Sequence, residues 1–435
     1  MKKIIIFGII IIILCGIVIA GKLLTNSTNS GQINNPFNNS SNKLDDSNST
    51  SEDLSSVVNS NNNFALDLYS HYKSKEELNN KNLFFSPYSI STALAMTYEG
   101  AKGQTASEMQ NVFYFPEDNT RRGGFARLYN VINKQNKSYQ LSTANALWAQ
   151  KDYKFLDSYF QIIDNYYGGK VTNLDFVNKT EESRITINNW VEDKTNNKIK
   201  DLIPQGIITQ ATRLVLTNAI YFKGNWDLEF EKEKTQEKDF FINSTNTIKA
   251  QIMSKFPKAE EKYKYFEDND LQVLELPYKD KEISMVILLP KDNNLSNLEN
   301  NLTIDKFDQY INNLSITKVD EIYIPKFKFE TKYFMNDDLI DMGMPTAFSQ
   351  SADFSGMDGV GGLFIAAVIH QAFVEVNEQG TEAAAATAVV MDKAMISEPP
   401  KRIIFNANHA FIFLIKDNAT NQILFMGRVV DPTSN

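Results

Sequence analysis

A single cysteine, Cys15, stands in a chain of 435 residues. It lies inside an apolar N-terminal run, so the body of the chain has no disulfide and must hold by packing alone. Histidine is almost as scarce: His71, His370 and His409 leave little material for a histidine-rich metal site. Positive charge is in deficit. The net charge of −9 argues against a nucleic-acid partner. Signatures of hydrolases and nucleotide-binding enzymes are missing too. There is no Gly-Xaa-Ser-Xaa-Gly elbow, no His-Glu-Xaa-Xaa-His pair and no Walker loop. His370 follows an apolar stretch and His409 precedes another, where a histidine is usually a satisfied structural residue. A catalytic Ser-His-Asp set has no local signature here. No cofactor is implied.

What is present begins with an export signal. Met1-Lys2-Lys3 precedes an apolar run over residues 4–20. As a helix that run spans about 26 Å, slightly short of a ~30 Å hydrocarbon core. Residues 1–24 therefore read first as a signal anchor and next as a signal peptide cleaved after Val18-Ile19-Ala20. A lipoprotein reading on Cys15 ranks last, because Leu14 precedes it. A run without a polar face is a poor buried core helix. The chain is expected outside the cell, surface-anchored or secreted, touching a membrane only through this segment. Residues 25–59 are mostly Asn, Ser and Thr and read as a disordered linker. Sequons at Asn26, Asn38, Asn39 and Asn48 follow from that composition. Residues 60–435 read as the globular domain, its core starting near Phe64.

Hydrophobic residues make up 42%, enough for a sizeable core. Ser86-Pro87 is a helix start, with Ser as cap and Pro in the first turn. Thr105-Ala106-Ser107-Glu108 has capping-box spacing. Residues 181–198 read as a helix. Residues 141–149, 212–222, 283–289, 410–415 and 423–430 read as strands. Across residues 321–330 the apolar parity switches at Pro325, which suggests a bulge. Helices cluster in the first half and strands dominate the second, giving an α+β class. Arg121-Arg122 could mark a polyanion site, but two adjacent arginines in an acidic chain read more readily as solvated surface.

One stretch stands apart. After a strand-like alternation over residues 372–377 come Glu378, Gln379, Gly380, Thr381, Glu382, Ala383, Ala384, Ala385, Ala386 and Thr387, then Ala388-Val389-Val390 and a polar tip before Pro399-Pro400. Alanine and glutamate are strong helix formers, so a short helix is one reading. The other takes every second residue. Thr381, Ala383, Ala385 and Thr387 are all small and share one face of an extended strand. Such a segment can slide between two strands without clashing with the core beneath.

The run Val376 to Thr387 resembles the hinge of the reactive-centre loop of the serpins. Matching motifs follow in serpin order: Asn82-Leu83-Phe84-Phe85-Ser86-Pro87-Tyr88-Ser89-Ile90, then Leu216-Thr217-Asn218-Ala219-Ile220-Tyr221-Phe222-Lys223-Gly224-Asn225-Trp226, then Leu424-Phe425-Met426-Gly427-Arg428-Val429-Val430-Asp431-Pro432. The resemblance implies helices packed around three β-sheets with an exposed loop. It implies an inhibitor of elastase-, subtilisin- or trypsin-like serine proteases, and at greater remove of cysteine proteases, that acts as a suicide substrate. Loop insertion in this family is a known instance of strand addition. By the same resemblance Ser86, Ser89, Asn218 and His370 form a "shutter" under the large sheet. Trp226, Lys326 and Glu378 form the "breach" where insertion begins. Counting from the hinge glycine puts the scissile bond at Ala394-Met395, with Lys393-Ala394 as rival and Met391-Asp392 third. A monomer is implied, prone to loop–sheet polymers when destabilised. The alternatives are a non-inhibitory serpin acting as a binding or storage protein and, far behind, a hydrolase.

Overall fold

The computed structural model describes residues 43–134, 137–243, 245–381 and 402–434. Its first helix corrects the sequence reading of the linker. Helix α1 spans Ser51–Ser74, well ahead of the boundary expected at residue 59. Thr50 caps it: its hydroxyl accepts from the Asp53 N–H, and the Asp53 carboxylate accepts from the Thr50 N–H. Val57 and Val58 are buried in the core. Leu44 is buried as well, its backbone bonded both ways to the Asn130 side chain. The composition argument failed because a capped first turn and two adjacent valines are enough to dock this segment as a helix, and the asparagines that follow it in α1 are bonded to the core as well. Asn61 donates to the Ile423 carbonyl, and Asn62 accepts from the Ile423 N–H and donates to the Asn421 carbonyl. Asn61 and Asn62 thus satisfy backbone groups of the buried Ile423 and of the turn before it, as buried polar side chains must.

Five further helices fill the first half of the domain: α2 (Pro87–Tyr98), α3 (Gly103–Phe113), α4 (Asp118–Ile132), α5 (Asp157–Tyr166) and α6 (Thr180–Lys194). Helix α2 starts as its sequence predicts, with Ser86 Oγ accepting from the Ser89 N–H and Pro87 in the first turn. Almost every residue of α2 is buried, the pattern of a helix threaded through a core. The expected capping box at Thr105 does not form. Helix α3 begins two residues earlier, and Thr105 Oγ1 and the Glu108 carboxylate instead accept from the backbone of Asp353 and Thr346. Arg121 and Arg122 both donate to Glu99 and Asp118, and Arg121 is 1% exposed. Neither guanidinium stands on a solvated surface awaiting a polyanion.

Among the described residues the strands, numbered in chain order, form three sheets. The seven-stranded sheet runs β1 (Leu83–Phe85), β17 (Ile423–Val429), β16 (Phe411–Asp417), β9 (Ile283–Pro290), β8 (Leu271–Pro277), β7 (Tyr263–Glu267), β10 (Ser315–Thr317). The four-stranded sheet runs β15 (Ile404–Asn406), β11 (Glu321–Pro325), β6 (Thr247–Lys255), β5 (Gln236–Phe241). The six-stranded sheet runs β12 (Phe327–Phe334), β13 (Ala367–Asn377), β14 (Gly380–Thr381), β4 (Leu214–Asn225), β2 (Tyr139–Gln150), β3 (Lys170–Leu174). The class is α+β. Pro325 is not a bulge: it ends β11, and β12 begins two residues later in a different sheet. Lys326 is the single residue between the two.

The six-stranded sheet is covered on its inner face and on part of its outer face, where Lys328 and Glu330 of β12 stay exposed. Its inner face packs on the seven-stranded sheet through aromatic rings: Phe329 meets Phe84 edge-on, Phe327 lies against Phe413 and Phe222 against Phe425. On the outer face, α6 and the segment after it close a second apolar cluster with Trp148, Trp190, Val191, Val215 and Ile369. Trp148 and Trp190 meet edge to face at 5.3 Å.

Candidate functional site

Strands β13 and β4 are parallel neighbours from Ala367 opposite Val215 to Phe373 opposite Tyr221. Beyond that point they part, and β14 stands between them. Thr381 lies opposite Val376 on one side and Gly224 on the other, and Gly380 lies opposite Asn377 and Asn225. Of the two readings of this stretch, the extended one holds for Gly380 and Thr381. The helical one fails there because both neighbours offer ladder partners that a helix could not use. Gly380 has φ +154°, and a Cβ on it would fall 2.1 Å from the Gly224 carbonyl oxygen. Only glycine fits so close an approach in that conformation. Thr381 is 1% exposed, and its hydroxyl lies 2.7 Å from that of Tyr278.

The turn between β13 and β14 is held from several sides. Its carbonyls at Glu378 and Gln379 accept from the N–H groups of Phe230 and Trp226, at 2.7 and 2.8 Å. The Trp226 indole donates to the Asn377 carbonyl at 3.0 Å. The Glu378 carboxylate accepts from the Thr235 hydroxyl at 2.7 Å and from the Lys326 ammonium at 3.0 Å. Burial disfavours its charged form, but the bonds from Thr235, its own backbone and Lys326 outweigh that and hold its carboxyl below the usual carboxylate range. An ordinary surface pair would leave the carboxylate in water; here its side chain is 9% exposed.

A second polar group lies under the middle of the same sheet, where β13 and β4 are still paired. His370 and Asn218 stand directly opposite each other. His370 Nε2 accepts from the Ser86 N–H at 3.0 Å, so Nδ1 carries the proton and donates to Asn218 Oδ1. Asn218 Nδ2 donates to Ser89 Oγ at 2.7 Å and to Asn145 Oδ1 at 2.8 Å. Ser89 Oγ donates to Asn145 Oδ1, and Ser86 Oγ to the Leu424 carbonyl at 2.6 Å. Every member is buried. Burial without a counter-charge pushes His370 down to about 3, so the ring is neutral. Beside the backbone ladder between β13 and β4, these side chains tie both strands to the start of α2 and to β2.

The structure thus brings Ser86, Ser89, Asn218 and His370 into one cluster, and Trp226, Lys326 and Glu378 into another. Sequence reasoning missed three participants: Asn145, Thr235 and Tyr278. Asn145 carried a signal, since asparagine is depleted in strands yet sits between Ala144 and Ala146 in an apolar one. Thr235 and Tyr278 lie far from the hinge in sequence and carried none. Glu382, Ala383, Ala384, Ala385, Ala386 and Thr387 lie outside the described residues, as do Lys393, Ala394 and Met395 and the N-terminal segment through residue 42.

Residues 59–432 match the family described as Serpin (serine protease inhibitor). The chain is a serpin. A serpin-like protein of Methanosarcina acetivorans is 44% identical over 378 residues, covering 86% of this chain and 88% of the relative. The leukocyte elastase inhibitor of Xenopus laevis is 40% identical over 388 residues, covering 88% of this chain and 100% of the relative. Uncleaved ovalbumin superposes with a TM-score of 0.77 at 30% identity, over 87% of this serpin and 100% of that chain.

Proposed function

We propose that this serpin inhibits serine proteases irreversibly as a suicide substrate. One observation carries the reading: β14 already stands as a two-residue strand where β13 and β4 part, and the same two strands close again directly beyond it. The sheet has an entry point with the chain already in it. Continuing that register one residue at a time, Ala383 would meet Val374 and Phe222, Ala385 would meet Ala372 and Ile220, and Thr387 would meet His370 and Asn218. All are inner-face positions, and all the entering side chains are small.

In this mechanism a protease attacks the loop and forms an acyl-enzyme. The cut strand then inserts and drags the protease along. About fourteen residues at ~3.4 Å each give a travel of about 48 Å. Distorting the protease's oxyanion hole slows deacylation, since losing one donor costs about 10²–10³ in rate. Ala394-Met395 is the proposed reactive bond; a small residue before it suits an elastase- or subtilisin-like target, whereas cutting after Lys393 would suit a trypsin-like one. The apolar N-terminal run supports an extracellular place, anchored or secreted.

The test is incubation with a panel of such proteases. An SDS-stable covalent complex is expected, with the loop fragment identifying the bond by mass spectrometry. Cutting the loop without trapping should raise the melting temperature sharply. If no protease gives a stable complex and cleavage leaves the melting temperature unchanged, the chain is a non-inhibitory serpin acting as a binding or storage protein.

A further inference from the structure

We propose that Asn243 is an N-glycosylation acceptor on the folded domain. The motif Asn-Xaa-Ser/Thr marks such acceptors. It recurs along the chain, so the hydrogen bonds must choose among its copies. Asn243-Ser244-Thr245 lies in the hairpin tip between β5 and β6, where Asn243 and Thr245 are both exposed. Three donors converge on Asn243 Oδ1: the Thr245 N–H at 2.9 Å, the Thr245 hydroxyl at 3.0 Å and the Asn246 N–H at 2.9 Å. No described residue takes a bond from Asn243 Nδ2. β5 is the outer strand of the four-stranded sheet, so a sugar at its end meets no further strand of that sheet.

An amide nitrogen is a weak nucleophile because its lone pair is shared with the carbonyl. As Nδ2 gives up a proton, negative charge gathers on Oδ1, where donors already in place stabilise it. The transfer needs a lipid-linked sugar phosphate and a membrane transferase. The Nδ2–C1 bond forms and the C1–O bond to the phosphate breaks. The lipid phosphate leaves with that electron pair, and the proton passes to a base on the transferase. The other described copies of the motif lack this arrangement. Asn178 Nδ2 donates to Asp175, Asn301 Nδ2 to Asn297, and Asn418 Nδ2 to the Lys281 carbonyl and to Ser284. At Asn48 the Thr50 hydroxyl is taken up by Asp53 in capping α1. Asn294 Oδ1 accepts from the Asn297 N–H as a helix cap, and Ser315, two residues past Asn313, donates to the Tyr265 carbonyl.

The proposal rests on the reading that the chain is exported, and the two are tested apart. Full-length folded protein is incubated with a single-subunit oligosaccharyltransferase and its lipid-linked donor, and its peptides are mapped by mass spectrometry. The Asn243 peptide should gain the glycan mass, while the peptides of Asn178, Asn301 and Asn418 stay bare. Thr245→Val keeps the shape and the N–H but removes the hydroxyl, and the gain should be lost. Thr245→Ser keeps the hydroxyl and should retain it. A bare Asn243 in the folded wild type, a gain that survives Thr245→Val, or equal gain at Asn178 would each overturn the site. On chain recovered from outside the cells that make it, Asn243 should carry sugar, and a bare Asn243 there overturns the site as well. A chain recovered from inside the cell alone fails the export reading instead, and the purified transfer still decides the site.

Discussion

Acid should attack this serpin at His370 first. Its Nε2 accepts from the Ser86 N–H, so a proton there would set two donors face to face inside the core. The folded protein holds the ring's pKa down at about 3, while an unfolded histidine titrates near 6.5. The folded pKa is depressed, so the stability from this group is complete above pH 6.5 and drains away as pH falls toward 3. Between those values the unfolded chain binds the extra proton, at about 1.4 kcal/mol per pH unit. From pH 7 to pH 4.5 the loss comes to about 2–3 kcal/mol, a large share of a domain's margin of about 5–15 kcal/mol. His370→Ala removes the titration but leaves the Ser86 N–H and Asn218 Oδ1 without their partner, costing about 1–3 kcal/mol at neutral pH. The variant should melt well below wild type at pH 7.5, and the gap should close by pH 4.5. Other carboxylates, Glu378 among them, lose stability in the same direction, but in both proteins alike. Wild type should also form polymers on native gels after incubation at pH 4.5. Melting curves for the two proteins that stay parallel from pH 7.5 to 4.5 would refute the reasoning.

Two further outcomes rest on the same geometry. A chain starting at Lys43 should melt like the full-length protein, whereas one starting at residue 59 loses the Thr50 cap, about 1 kcal/mol, and the buried Val57 and Val58, about 1.5–3 kcal/mol each; equal melting points would return residues 43–58 to the linker. Thr381→Arg should expel the hinge, because a guanidinium cannot occupy a site that is 1% exposed beside Tyr278. Cleavage should survive while the covalent complex gives way to cut protein on SDS gels, and a variant that still trapped protease with wild-type yield would disprove obligatory entry at 381.

Much of the architecture was legible because short stretches of sequence carried it. Ser86-Pro87 both starts α2 and supplies the hydroxyl and N–H of the central cluster. His370 and Asn218 could be paired only through a family resemblance, since 152 residues separate them, yet the strands place them in direct register. What stayed hidden was hidden for physical reasons. Composition cannot tell a tether from the first turns of a helix whose few apolar residues reach the core, so residues 51–58, Val57 and Val58 among them, read as linker. Parity cannot tell a bulge from a change of sheet, because both shift the apolar face by one residue, as at Pro325. Helix propensity over residues 381–388 is real, but in the sheet two ready-made edges compete with it, and tertiary pairing prevails at Gly380 and Thr381.

The two polar clusters answer each other along one track. Thr381 meets a hydroxyl on Tyr278 at the open end. Six residues further along the same inner face, insertion in that register would bring Thr387 to His370 and Asn218. Between them the floor is apolar: Val374 and Phe222, then Ala372 and Ile220, all buried. The entering chain offers alanine at both of those positions and threonine at both polar ones. A hydroxyl arriving at the central cluster can take up a bond as the His370–Asn218 contact parts, so the strands need not separate there with buried polar groups left bare. On this view the alternation Thr-Ala-Ala-Thr is matched to the track position by position. On the proposed mechanism, the polar joint in mid-sheet would let β13 and β4 be paired before insertion and parted after it.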